Sequence, residues 1–491
     1  MESYKLTVHE VSALINKREL SIEELLRKVI QRIDSTESRL DSFITLNIDE
    51  ALQQAETLDG LIAKGATLPN LAGIPLGVQD NICTFGIRTT CASKMLDNFI
   101  PPYNSSVIEK LRQSHSIILG KLNMDEFGMG YSTQNSAFKF TKNPWDLHKV
   151  AGGAAGGGAA AVAADQIFYA IGSDMSGCLR QPAAFCGVVG FKPTYGLVSR
   201  FGLVACAPSL EQIGCITKDV SDCAYVLEEM VFYDKKDSTS MSKGNSTYTG
   251  NLVEDVRELR IGIPKEIFDE SWDPDVRTYI NNAIETFKKL GAQIVDITLP
   301  HFKYASAAHF IISSCESSSN LARYDGVKYG KRAQNVENLE ELYCKTRSQG
   351  FGQEVKARIM LGNLFLSNEY YDSHYKKALK IRKLLKDDFR KAFEKCNVVL
   401  TPTSPILAFD LGHETDLPIG MSESQRYSLL ANMAGIPAIS IPCGLSQEGL
   451  PIGLQLMADA LNEGTLIKAA YTFERNTDYH IKKPMKLEVV E

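Results

Sequence analysis

The chain has 491 residues, 44% of them hydrophobic, and a net charge of −6 from 53 basic and 59 acidic side chains. Such a length supplies a large core, either as one big sheet-based body or as two or three domains. Charges of both signs are interspersed and no long Lys/Arg run occurs, so the sequence gives little support to direct nucleic-acid binding through a basic face.

The opening MESYKLTVHEVSALINKREL lacks a basic tip followed by a short apolar core, so it does not read as a secretory leader. The apolar stretch from Ala159 to Ile171 is short and is broken by Asp165 and Gln166, so no membrane span is expected. Eleven cysteines are scattered without a CxxC pair, and eight histidines are equally dispersed. Together they point to reduced thiols in a cytoplasmic protein, with no disulfide framework, no metal site and no cofactor.

In chain order, Ser21-Ile-Glu-Glu24 is a capping box, followed by Leu25, Leu26, Val29, Ile30 and Ile33 at helical spacing. Residues 1–65 therefore read as a helical segment packed on a larger body, and 66–491 as that body. From Leu71 onward short apolar runs (Ile117–Leu119, Ala170–Ile171, Gly187–Gly190) alternate with helix-like stretches, which predicts an α/β sheet covered by helices on both faces. The polar run 234–250 reads as a surface loop. Beyond it, Leu259–Ile263 and Gln293–Ile297 read as strands around a helix at Pro274–Leu290, and peripheral helices fill about 300–395. The amphipathic Lys376–Lys395 leads into a strand at Val398–Leu400, and Pro437–Pro442 and Pro451–Leu456 read as closing strands.

Two stretches suggest a site. AGGAAGGGAAAVA (151–163) is almost pure glycine and alanine, and DMSGCLRQPAAF (174–185) holds Cys178 in a turn between small residues. With GIPLGVQDNI (73–82), KLNMDEFGMG (121–130) and GSDMSGCLRQPAAFCGVVGFKPTYG (172–196), they resemble the amidase signature family, and within it the amidotransferase-type A subunits. TTCASKM (89–95), NSAFKFTKNPWD (135–146), SRFGLVA (199–205) and NMAGIPAISIPCG (432–444) extend the likeness over nearly the whole chain. The resemblance implies a mixed, mostly parallel central sheet wrapped by helices.

It also implies a Lys–Ser–Ser relay, in which a serine attacks an amide carbonyl, a second serine on a cis peptide shuttles its proton, and a lysine takes it. A hydroxyl is a poor nucleophile without such a base. The family lysine of GVKDN falls on Gln79, the shuttle serine of GGSSGG on Ala154, its neighbour on Ala155, and the nucleophile on Cys178. Arg358 matches the arginine that meets a substrate carboxylate. Gln425 stands where an aspartate holds the substrate ammonium, His309 where the family has a tyrosine, and Gln134 where it has a glutamate. The backbone N–H groups of Met175, Ser176 and Gly177 match an oxyanion hole, which works through backbone alone.

The first functional reading is thus a non-hydrolytic pseudo-amidase that binds a small carboxylate-bearing ligand or amidotransferase-type partner subunits. The alternative is a repurposed acyl-transfer, cyclisation or amide-forming enzyme, with Cys178 as thiol nucleophile and His309 as its base. A third is a glutamine amidohydrolase serving tRNA-dependent amidation. The same cysteine can be an inert filler, and His309 a polar helix residue. Asp125 and Glu126 read as helix-end residues, Cys186 and Cys206 as core thiols, Cys206 with a second reading as a neighbour of the site, and Lys192 as structural or solvated. With the shuttle hydroxyl gone, the Gly153–Ala154 peptide is free to be either cis or trans.

Overall fold

The structure, a computed structural model, describes residues 2–242, 247–413 and 422–484. Residues 243–246 of the polar loop at 234–250 therefore lie outside the described residues.

Thirteen strands are described: β1 (Phe43–Leu46), β2 (Pro75–Gln79), β3 (Ile117–Leu122), β4 (Lys142–Asn143), β5 (Asp146–Val150), β6 (Tyr169–Asp174), β7 (Val189–Lys192), β8 (Gln212–Thr217), β9 (Arg260–Pro264), β10 (Gln293–Ile297), β11 (Val398–Pro402), β12 (Ala438–Leu445) and β13 (Pro451–Ala458). Apart from the β4–β5 hairpin they form one eleven-stranded sheet, in the order β1-β3-β2-β6-β8-β7-β12-β13-β11-β9-β10. Parallel pairs lie toward the two ends (β3–β2–β6 and β11–β9–β10), and antiparallel pairs fill the middle. The mixed sheet expected from the sequence is present.

Fifteen α-helices flank it: α1 (Val8–Asn16), α2 (Ile22–Leu40), α3 (Ile48–Ala63), α4 (Ser106–Gln113), α5 (Gly156–Ala163), α6 (Arg180–Cys186), α7 (Val220–Met230), α8 (Lys265–Phe268), α9 (Pro274–Lys289), α10 (Ala305–Leu321), α11 (Leu339–Gly350), α12 (Gln353–Leu366), α13 (Lys376–Lys395), α14 (Leu429–Ala434) and α15 (Glu463–Arg475). None among the described residues is long and apolar enough to cross a membrane.

The N-terminal segment is more than helical. The Ser21 side chain accepts the Glu24 N–H, which starts α2 where the sequence places a cap. Leu25, Leu26, Val29 and Ile33 are buried on one stripe of α2, each side chain contributing roughly 1.5–3 kcal/mol by leaving water. Between α2 and α3, however, the chain adds β1 to the sheet edge, antiparallel to β3. Four residues with no period-2 alternation gave no strand signal.

The Gly/Ala stretch becomes α5, buried along its whole length. Its small side chains let the backbone approach neighbours that any larger residue would push away. A Cβ on Gly157 would lie 2.4 Å from the Asn123 carbonyl oxygen. The loop before it is fixed the same way: a Cβ on Gly153 would lie 2.3 Å from the Asp125 carboxylate. The Gly153–Ala154 peptide is cis.

Candidate active site

The end of β6 and the start of α6 form the centre. Asp174 and Arg180 bracket the turn, and both side chains are fully buried. Arg180 makes two bonds to Asp174 (3.0 and 2.9 Å) and donates to Ser428 O at 2.7 Å, Asn432 Oδ1 at 2.7 Å and Gln455 Oε1 at 2.5 Å. Asp174 also accepts the Gly177 N–H (2.7 Å) and the Leu179 N–H (3.2 Å). Burial pushes the Asp174 pKa up, but the Arg180 charge and its bonds outweigh that and hold the carboxyl below its ordinary value. The turn that presents Cys178 is therefore set by a desolvated ion pair whose groups are all satisfied.

Cys178 is 2% exposed. The Ala154 and Met175 amides face its sulfur, and the Ser176 hydroxyl lies 3.5 Å away. Burial, reinforced by the Asp174 carboxylate, raises the thiol pKa, while those three donors pull it down without cancelling the rise. At rest Cys178 is a thiol. Of the three amides matched to an oxyanion hole, Gly177 is a correction: its N–H is committed to Asp174. The Met175 N–H faces the sulfur, and the Ser176 N–H takes no acceptor among the described residues.

His309, on α10, lines the neighbouring pocket, but the structure does not bring it into a hydrogen bond with Cys178. Its Nε2 meets the Met175 carbonyl at 3.1 Å. A carbonyl only accepts, so Nε2 carries the proton and Nδ1 is bare. Burial holds its pKa down to about 4, and the Arg358 and Arg382 charges add to that, so the ring is neutral at physiological pH. The imidazole braces the turn from behind.

The pocket has a volume of about 30 Å³ and is lined by Gly128, Gly130, Met175, His309, Arg358 and Gln425, among others. That is far below the roughly 300 Å³ at which ligand sites begin, so ligand entry requires lining side chains to move. Arg358, on α12, is 5% exposed, pairs with Glu354 at 2.8 Å, reaches Ser313 Oγ at 3.3 Å and lies over the Phe310 ring. Gln425 accepts from Ser176 Oγ and donates to Gly153 O, both at 2.7 Å, and so ties the Cys178 turn to the Gly/Ala loop.

Gln79, at the end of β2, accepts the Ser173 N–H at 2.6 Å, and its Nε2 has no partner among the described residues. Gln134 accepts the Gly412 N–H at 2.6 Å, away from the pocket. Cys206 packs against Ser317 Oγ at 3.1 Å, and Lys192 is buried with its Nζ on Pro193 O at 2.8 Å.

Asp125 and Glu126 are not ordinary helix ends. Asp125 is fully buried and accepts the N–H groups of Ser132, Thr133 and Asn135 at 3.0–3.3 Å, while its own N–H donates to Ala154 O at 3.1 Å. Glu126 reaches Ser93 and Gly352. Burial lifts both carboxyls to about 7. Sequence reasoning also missed Asp174. The signal was available: an acid and an arginine six residues apart in an apolar stretch must pair if both are buried.

An amidase family model matches residues 24–467. The A subunit of the glutamyl-tRNA(Gln) amidotransferase from Caldanaerobacter subterraneus subsp. tengcongensis is 53% identical over 98% of both chains. Its counterpart from Moorella thermoacetica is 50% identical over 99% of both. Among solved structures, the glutamyl-tRNA(Gln) amidotransferase A subunit of Thermotoga maritima is 36% identical with a TM-score of 0.80, covering 96% of this chain and 95% of its own. The peptide amidase of Stenotrophomonas maltophilia is 26% identical with a TM-score of 0.83, covering 98% and 99%. Full-length matches at this level to amidotransferase A subunits overturn the expectation of a pseudo-amidase, and with it that of an enzyme repurposed for acyl transfer, cyclisation or amide formation. The inference from Gln79, Ala154 and Cys178 ranked loss of the relay side chains above the likeness of the whole chain.

Proposed function

Because the chain belongs to the amidase signature family, we propose that it is an active A subunit of a cytoplasmic glutamyl-tRNA(Gln) amidotransferase, releasing ammonia from glutamine beside partner subunits. What supports this reading is the full-length identity to subunits of that name, together with a thiol held in a cradle of backbone amides on a turn whose Met175 and Ser176 line one pocket with the buried Arg358.

In this reading the substrate carboxylate meets Arg358 and the side-chain amide reaches Cys178. The sulfur attacks the carbonyl carbon, the thiol proton passes to the departing nitrogen, and the C–N bond breaks to give ammonia and a thioester. Water then adds to the thioester, the C–S bond breaks, and glutamate leaves as the sulfur regains its proton. The Ser176 N–H is the free donor for the oxyanion in each half. A thiol needs less assistance than a hydroxyl, which suits a site where Gln79 and Ala154 supply neither base nor shuttle. Gln425 offers its Oε1 to the substrate ammonium as a neutral acceptor.

The test is glutamine-dependent ammonia release by the full-length chain with its partner subunits, beside the Cys178→Ala variant. Release by the wild type and none by the variant is the expected result. A wild-type complex without release overturns the function, and a variant as active as wild type overturns the role of Cys178.

A further inference from the structure

The loop that carries Asp125 and Glu126 grips the start of the helix that carries Arg358. The Glu126 carboxylate, 2% exposed, accepts the Gly352 N–H at 2.7 Å and the Ser93 hydroxyl. Gly352 is the residue from which α12 springs, and no side chain of α12 itself caps it. The adjacent Phe127 packs its ring on Phe351 (5.9 Å between centroids) and on Tyr324 (5.2 Å). Residues 126–127 thus hold residues 351–352 through one carboxyl hydrogen bond and one aromatic contact. The same loop then supplies Gly128 and Gly130 to the lining of the pocket that also holds Arg358. Phe127 has φ +51, an unfavourable conformation for a side chain of its size, and the three-ring packing holds it there.

We propose that Glu126 is a positioning residue for Arg358: by holding the Gly352 N–H it fixes the origin of α12 against the pocket wall, and so sets where the guanidinium meets a substrate carboxylate. This rests on the glutaminase reading above. The effect falls on binding rather than on the chemical step, because Glu126 touches neither Cys178 nor the amides around it.

The experiment compares wild type with Glu126→Ala, Glu126→Gln and Gly352→Pro in the full-length chain with its partner subunits. Gly352→Pro breaks the same bond from the other side. Gly352 has φ −69 and Phe351 is extended, so the backbone already suits proline. Three readouts are taken: kcat and KM for glutamine, the Kd of glutamate, and hydrogen exchange of the amides at 353–358.

Loss of this buried hydrogen bond corresponds to about a tenfold rise in KM and Kd for Glu126→Ala and Gly352→Pro, with kcat within about twofold and faster exchange at 353–358. Glu126→Gln keeps an acceptor for Gly352, and Ser93 can turn to Gly350 O, already 3.4 Å away. It is expected within about threefold of wild type. An unchanged KM and Kd in both disrupting variants overturns the proposal, as does a fall in kcat with KM preserved. If the wild type releases no ammonia the glutaminase reading fails, and the Kd of glutamate with the exchange pattern still decides whether Glu126 places Arg358.

Discussion

The Asp174 carboxylate and the Arg180 guanidinium meet at 2.9 Å with neither side chain exposed to solvent. Every donor of the arginine that the structure describes ends on an acceptor, and the acid in turn holds the N–H groups before and after Cys178. Removing one partner strands the other. Arg180→Ala is therefore expected to lower unfolding free energy by roughly 3–5 kcal/mol, measured by urea denaturation, and to abolish ammonia release because the turn loses its clamp.

Cys178→Ser keeps the cradle and removes the acidity. No base hydrogen-bonds the side chain at 178 among the described residues, so the hydroxyl gains no help in losing its proton. Ammonia release is expected to fall by about 10²–10⁴-fold, the usual contribution of a positioned base, with the fold unchanged by circular dichroism.

Gly177 has φ +106, and a Cβ there would lie 2.0 Å from Ser428 Oγ. Ser428 is itself fixed by bonds to Ser176 O and Gln425 O, so it cannot step aside cheaply. Gly177→Ala is expected to cost about 3 kcal/mol of stability from backbone strain and crowding, and to reduce kcat more than it raises KM. Thermal denaturation and steady-state kinetics check both parts.

His309 titrates at about 4 when folded and near 6.5 when unfolded. Above pH 6.5 both states are neutral there and the residue adds no pH dependence. As pH falls from 6.5 toward 4 the unfolded chain takes up a proton that the folded chain refuses, so stability drops, by about 3 kcal/mol at most. His309→Gln is expected to lack that component, seen as a shallower loss of stability between pH 6.5 and 4. A slope identical to wild type would show that the ring is not buried neutral.

Much of the scaffold was legible because it is local. The cap at Ser21, the stripe on α2 and the apolar runs that became β3, β6 and β11 are periodic signals a few residues long. Cys178, Arg358 and Gln425 could be placed near one another through the family likeness. What stayed hidden is long-range. Gln425 reaches Gly153 across 272 residues and Glu126 reaches Gly352 across 226, and no spacing rule encodes either. His309 was legible as a pocket residue, but which atom it faces depends on how α10 lies across the turn, so its bond to Met175 was not. The mistaken functional expectation had another source: it counted changed side chains at three positions and gave too little weight to the likeness along the whole chain.

The hairpin of β12 and β13 sits at the middle of the sheet, between β7 and β11, yet it is built from residues 438–458. A ribosome therefore delivers the keystone after both strands that flank it, β7 and β11. Until it emerges, the nascent polypeptide holds two separate strand arrays with open edges, one ending at β7 and the other at β11. Assembly is correspondingly late and non-local, which favours slow folding and a window of exposure to edge-to-edge aggregation during synthesis. Any truncation before that hairpin leaves the two arrays without the strands that join them.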